Sequence, residues 1–116
     1  PPAGRAVPPR QARRVTARLP PGLESYKRTA TFTEDTVPAA LLKDHSTKEN
    51  VWGQIRVEQG QLRYLVTDPR RPSGERLLVP NGEPGVVEPT ILHRVEPIGE
   101  VRFHVEFLRP SRQGDG

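Results

Sequence analysis

The chain has 116 residues, of which 33% are hydrophobic, so it can bury one small core but not two. It contains no cysteine, which excludes disulfides, thiolate metal sites and a cysteine nucleophile, and it has no apolar run long enough to span a membrane. The net charge of +4 would suggest a nucleic-acid partner, but residues 21–116 carry 13 basic and 14 acidic residues, a net charge of −1.

The excess positive charge lies in the N-terminal segment, residues 1–19. This segment holds five arginines and no acid: Arg5, Arg10, Arg13, Arg14 and Arg18. It is rich in proline, arginine and alanine and has no sustained hydrophobic period, so we expect a disordered or polyproline-like leader. A solvated tail is the more common role of such a leader, although it would attract anionic partners weakly. Alternatively, the leader is an ordered arm exchanged between two copies of the chain, in which Val15 and Leu19 extend an edge strand of a homodimer.

Beyond the leader, short runs of β-branched and aromatic residues alternate with turn signals every six to twelve residues. In chain order, the predicted strands are Ser25–Phe32, Leu41–Thr47, Val51–Val57, Leu62–Thr67, Glu75–Val79, Val86–Val87, Ile91–Val95 and Val101–Leu108. The predicted turns and loops between them include Glu58–Gln61, Asp68–Gly74, Pro80–Gly85 and Pro97–Gly99. No segment has a convincing helical period, so the sequence predicts an all-β domain over residues 20–109, followed by a frayed C-terminus at 110–116.

This spacing of strands is typical of small antiparallel sandwiches and barrels. The last strand alternates strictly: Val101, Phe103, Val105 and Phe107 lie on one face, and Arg102, His104 and Glu106 lie on the other. We expect the apolar face to fill the core.

Two fragments together are similar to a known family: LPPGLESYKRTATFTEDTVPAALLKDHSTKENVWGQIRVEQGQLRYL and GVVEPTILHRVEPIGEVRFHVEF. The ordered set Val37-Pro38, His45-Ser46-Thr47, Trp52-Gly53, Glu88-Pro89 and His93-Arg94-Val95-Glu96 resembles the TehB/YeaR-like cupin family. The resemblance covers roughly residues 20–108. It implies a cupin-type, jelly-roll-like barrel and a setting in tellurite, oxyanion or nitrosative-stress responses. Some members of the family are fused to a methyltransferase, and we expect no such domain here.

The resemblance also implies where a metal would bind. Metallocupins use a motif of two histidines and a glutamate before a glycine turn, and a second motif in which a histidine follows a proline. Pro89 and His93 match the second motif in type, His45 is the one upstream histidine, and Gly53 stands at or beside the position of the glutamate.

His45 and His93 are therefore the candidate ligands for a divalent metal such as Zn, Fe, Ni or Mn. Catalytic metals usually have three protein ligands, and the third would come from Glu106 or His104. In the alternative, the two imidazoles are hydrogen-bonded groups that line a pocket without a metal. Trp52, Gly53 and Pro89 are candidate pocket residues, although a lone tryptophan is more often a core aromatic.

The sequence favours a module that binds a small molecule or a metal ion in its barrel. The alternative is a metal-dependent cupin enzyme, of dioxygenase or isomerase type, that uses His45 and His93. A third hypothesis is that the chain is an interaction protein whose basic leader binds anionic partners. The absence of cysteine fits the reducing cytoplasm, where we expect the protein to act.

Overall fold

The computed structural model describes residues 18–111, which form an almost entirely β structure. The strands are β1 (Leu23–Arg28), β2 (Phe32–Thr33), β3 (Trp52–Val66), β4 (Gly74–Leu78), β5 (Gly85–Val87) and β6 (His93–Pro110). A short 3-10 helix, Ala39–Leu42, lies between β2 and β3. None of the helical structure in this part of the chain is long and apolar enough to cross a membrane. Most of the predicted leader and the predicted frayed end lie outside the described residues.

The six strands form one antiparallel sheet with the order β1-β6-β3-β4. β2 also pairs with β6, and β5 also pairs with β3, so the two longest strands occupy the centre. The predicted all-β antiparallel class is confirmed, but the predicted closure into a barrel is wrong. The reason lies in the edges of the sheet: β1 and β2 both lie along β6, and β4 and β5 both lie along β3. None of the strands within residues 18–111 therefore connects one edge with the other.

The sheet has fewer and longer strands than the sequence predicted, because two predicted turns are bulges inside continuous strands. β3 runs through the predicted turn at Gly60, and β6 runs through the predicted break at Gly99, and the two strands pair from Trp52–Leu108 to Val66–His93. Gly60 has a φ of +83° and Gly99 a φ of +66°. A Cβ at Gly60 would collide with the carbonyl oxygen of Glu100, so only glycine allows the backbones to approach this closely.

The core is built mainly from the two central strands, β3 and β6, with Leu78 from β4 and Val87 from β5. Its largest fully buried side chains are Tyr64 and Phe103, and the strict alternation predicted for the last strand places Val101 and Val105 beside Phe103, as expected. Tyr64 donates a hydrogen bond from its hydroxyl to the Val86 carbonyl at 2.9 Å. Burial raises the pKa of this phenol, which is therefore a neutral donor at every physiological pH.

Candidate ligand-binding site

His45 and His93 lie directly opposite each other in an isolated antiparallel bridge. Each backbone N–H donates to the carbonyl of the other residue, and both N···O distances are 2.9 Å. Paired residues on neighbouring strands project their side chains to the same face, so the two rings are adjacent, with centroids 4.2 Å apart and planes inclined by 55°. The predicted strand Leu41–Thr47 is thus reduced to the 3-10 helix and this single bridge.

Backbone carbonyls fix the tautomer of both imidazoles. His45 Nδ1 lies 2.8 Å from the carbonyl oxygen of Lys43, and His93 Nδ1 lies 2.9 Å from that of Ile91. A carbonyl oxygen only accepts, so each Nδ1 donates, and in the neutral ring Nε2 then carries a lone pair. Burial, with the neighbouring His45 as a smaller cause, lowers the pKa of His93 to about 4. His93 is therefore a neutral acceptor at pH 7.

Charged side chains brace the two segments that carry the imidazoles. Arg94 follows His93 and donates to Asp44, the residue before His45, at 3.1 Å. On the other side, the buried Asp68 carboxylate accepts the Leu92 N–H at 2.9 Å. The hydrogen bonds that Asp68 receives from Arg70 and Leu92 hold the pKa of this carboxyl well below its usual range. These contacts tie the residues next to His45 and His93 to each other and to the loop that carries Asp68.

The imidazole pair faces a cavity of about 440 Å³ between the sheet and the segment that carries the 3-10 helix. Its walls are mostly apolar, with a few polar groups. The side chains and backbone that line it come from Tyr26, Lys27, Thr29, Phe32, Pro38, Leu41, His45, Ser46, Thr47, Lys48, Val51, Gly53, Ile55, Val87, His93, Val95, Phe103, Val105 and Phe107. This arrangement is typical of small-molecule sites, which are concave and apolar with few convergent polar groups.

Of the three predicted pocket residues, only Gly53 lines the cavity. Trp52 is half-buried and alternates with Gly53 and Ile55, so its ring projects to the opposite face of the sheet. Pro89 lies outside the cavity lining as well. A Cβ at Gly53 would lie 3.1 Å from the Cβ of Val87, so Val87 already fills the space beside this glycine.

The two residues considered as a third metal ligand project away from the imidazole pair. His104 is buried on the other face of the sheet, where its Nδ1 lies 2.6 Å from Glu58. Glu106 alternates with the cavity residues Val105 and Phe107 and does not line the cavity. Within residues 18–111, no three histidine, aspartate or glutamate side chains form a group that could hold a metal ion.

Several cavity residues were not singled out from the sequence. Tyr26, Lys27 and Thr29 come from β1 and the loop after it, and Lys48 comes from the loop before β3. Lys27 reaches the site because it pairs with Phe107 across a bulge in the β1–β6 ladder. Only the long-range register could reveal this, since nothing in the local pattern of β1 distinguishes a cavity residue from a surface one.

The fold and the site together define a small antiparallel β-domain with an apolar cavity that two imidazoles line. The model of the TehB-like domain family matches residues 27–105, and the chain belongs to that family.

Two solved structures are similar. The crystal structure of TehB from Haemophilus influenzae superposes with a TM-score of 0.71 at 26% identity, covering 78% of this chain and 32% of that one, so this chain spans about a third of that protein. A protein from E. coli (strain K12) superposes with a TM-score of 0.72 at 20% identity, covering 84% of this chain and all of that one, which shows the shared fold. No curated protein matches the chain.

Proposed function

We propose that this chain is a binding module that holds a small ligand in the cavity against His45 and His93. The observation that carries the proposal is the convergence of two imidazoles, each with its Nδ1 bonded to a backbone carbonyl, on one apolar cavity. Because each Nδ1 faces a backbone carbonyl, the neutral rings keep Nε2 as an acceptor, and a bound molecule with a hydrogen-bond donor would use it. The cavity volume of about 440 Å³ falls in the range of small-molecule sites.

A divalent metal is the second candidate occupant, because the same two Nε2 atoms are suitable donors for Zn, Fe, Ni or Mn. Two protein ligands would form a weak site that a bound molecule or water completes. The enzyme alternative requires a third protein ligand, and neither His104 nor Glu106 lines the cavity. The binding module therefore has the better support.

The wider setting is also a proposal. We infer from the sequence resemblance that the open sheet is a relative of the cupin barrels. By the same resemblance, the module would act in the cytoplasm during tellurite, oxyanion or nitrosative stress. The family match and the similarity to TehB from Haemophilus influenzae support a role related to that of other TehB-like domains. The molecule bound in the cavity would connect the module to the stress response.

A ligand screen with matched histidine variants tests the proposal. A fragment library is screened by ¹H–¹⁵N chemical shifts against the wild type, His45→Ala/His93→Ala and the control His104→Gln. His104 is the third histidine and lies outside the cavity. We expect hits that shift cavity resonances in the wild type and the control and lose binding in the double variant. Hits whose affinity is unchanged by the double variant would contradict the proposal.

Elemental analysis separates the two occupants. The protein is purified without a histidine tag, and its metal content is compared with that of His45→Ala/His93→Ala. A stoichiometric metal in the wild type that is lost in the double variant would favour the metal. Absence of metal together with organic hits would favour the small molecule.

A further inference from the structure

The walls of the cavity favour a ligand with an apolar body. Aliphatic and aromatic side chains form most of the lining, among them Phe32, Leu41, Ile55, Val105 and Phe107. Placing apolar surface against these walls removes it from water, which is the main source of affinity in such sites. The volume of about 440 Å³ accommodates a single aromatic ring with substituents.

The imidazole pair offers hydrogen-bond acceptors to the cavity. His45 and His93 present Nε2 lone pairs, because each Nδ1 donates to a backbone carbonyl. The hydroxyl groups of Thr29 and Thr47 also line the cavity, but each already donates to a backbone carbonyl, at 2.8 and 2.7 Å. A ligand that satisfies the imidazoles must therefore bring its own hydrogen-bond donor.

The charged residues that line the cavity are lysines. Lys27 and Lys48 are among the residues that line the cavity, and both are exposed, so each long side chain has the reach to place its ammonium group at the opening. No aspartate or glutamate is among the described lining residues. The acid next to His45, Asp44, is already paired with Arg94. The opening therefore favours an anionic group on the ligand.

We propose that the ligand is a small apolar acid: its anionic group lies at Lys27 and Lys48, its apolar body fills the cavity, and a hydroxyl donates to the imidazole pair. This inference rests on the proposed binding function and names the chemical class of the ligand. A carboxylic acid on a hydroxyl-bearing ring or short chain fulfils all three conditions.

Matched probes test the class. 4-Hydroxybenzoate and the longer 4-hydroxyphenylpropionate carry both groups at two spacings, phenol lacks the anion, and 4-methoxybenzoate lacks the donor. Affinities for the full chain are measured by chemical-shift titration at low and high salt. We expect at least one hydroxy acid to bind about tenfold more tightly than 4-methoxybenzoate, which leaves the imidazoles unpaired. The same hydroxy acid should bind about three- to tenfold more tightly than phenol, and salt should weaken only this second preference.

Variants separate the two levels of the proposal. Lys27→Gln/Lys48→Gln should lose about three- to tenfold in hydroxy-acid affinity and leave phenol unaffected, whereas the control Lys43→Gln, outside the cavity lining, should change neither. Equal binding of phenol and both hydroxy acids, or indifference to the lysine variants, would overturn the acid class and leave the binding function standing. Probe binding that ignores His45→Ala/His93→Ala would overturn the binding function itself. Failure of every probe to bind at millimolar concentration would overturn the acid class.

Discussion

Burial of the His93 imidazole should make the folded protein less stable when the pH falls from 7.5 to 5. The groups that face this ring favour its neutral form on balance. The His45 ring lies against it, with centroids 4.2 Å apart, and the Tyr64 ring meets it edge-on at 5.9 Å. The Ile91 carbonyl and the charge of Asp44 act in the opposite direction, but desolvation is the larger effect and lowers the pKa of His93 from 6.5 to about 4.

The sign and the size follow from proton linkage. Between pH 4 and pH 6.5 the unfolded chain binds a proton at His93 that the folded chain does not bind, so stability rises with pH across this window. At about 1.4 kcal/mol for each pKa unit, the full shift changes the free energy of unfolding by about 3 kcal/mol between low and neutral pH. Above pH 6.5 the folded protein has gained nearly all of this stability. At pH 5, about 2 kcal/mol of this contribution should already be lost.

Urea unfolding at pH 7.5 and pH 5.0, with a chelator present, measures the effect. The free energy of unfolding of the wild type should fall by about 2 kcal/mol more between the two pH values than that of His93→Gln, which cannot titrate at this position. The comparison separates the contribution of His93 from that of the other ionisable groups of the chain. Equal pH dependence in both proteins, or an NMR titration that places the pKa of His93 near 6.5, would refute the reasoning.

Three substitutions test the packing that positions the site. Gly60→Ala should destabilise the fold by about 2 kcal/mol or more, because the residue has a positive φ and its Cβ would collide with the Glu100 carbonyl. Gly53→Ala should cost about 1–2 kcal/mol through its contact with Val87, and less in a Val87→Ala background. Tyr64→Phe should cost about 1–2 kcal/mol, because a buried carbonyl loses its donor. Thermal or urea unfolding measures all three.

Different results would contradict each expectation. A wild-type midpoint for Gly60→Ala would mean that the bulge can adopt a conformation with negative φ. An equal cost of Gly53→Ala with and without Val87 would show that the two side chains do not compete for the same space. Unchanged stability of Tyr64→Phe would mean that another donor, such as water, reaches the freed carbonyl.

The sequence predicted the strands better than the connections between them. Alternation identified the apolar face of β6 correctly, because burial on one face imposes a two-residue period. It could not distinguish a hairpin turn at Gly60 from a bulge, since glycine with positive φ serves both. That ambiguity accounts for the predicted surplus of strands. Whether a sheet closes into a barrel depends on which edge strands pair, and the local pattern of hydrophobic residues does not determine that pairing.

The imidazole pair shows the same limit at the site. The sequence indicates both histidines as candidate ligands, because imidazole is a common ligand. Their adjacency depends on one bridge between residues 48 positions apart, and Arg94 and Asp68 bind the neighbouring segments. The sequence does not indicate Lys27 and Lys48 as site residues, because most lysines of a protein are exposed whether or not they bind a ligand.

The contact between Gly53 and Val87 also shapes the wall of the cavity. Gly53 stands at or beside the position where the cupin resemblance implies a metal-binding carboxylate, and it pairs with Val87 across the β3–β5 ladder. The Val87 side chain occupies the space that a side chain at position 53 would need, and it also lines the cavity. The cavity wall beside Gly53 is therefore an isopropyl group. If the cavity holds an organic ligand, as we propose, the backbone geometry that leaves little room for a side chain at position 53 also supplies part of the apolar wall that such a ligand requires.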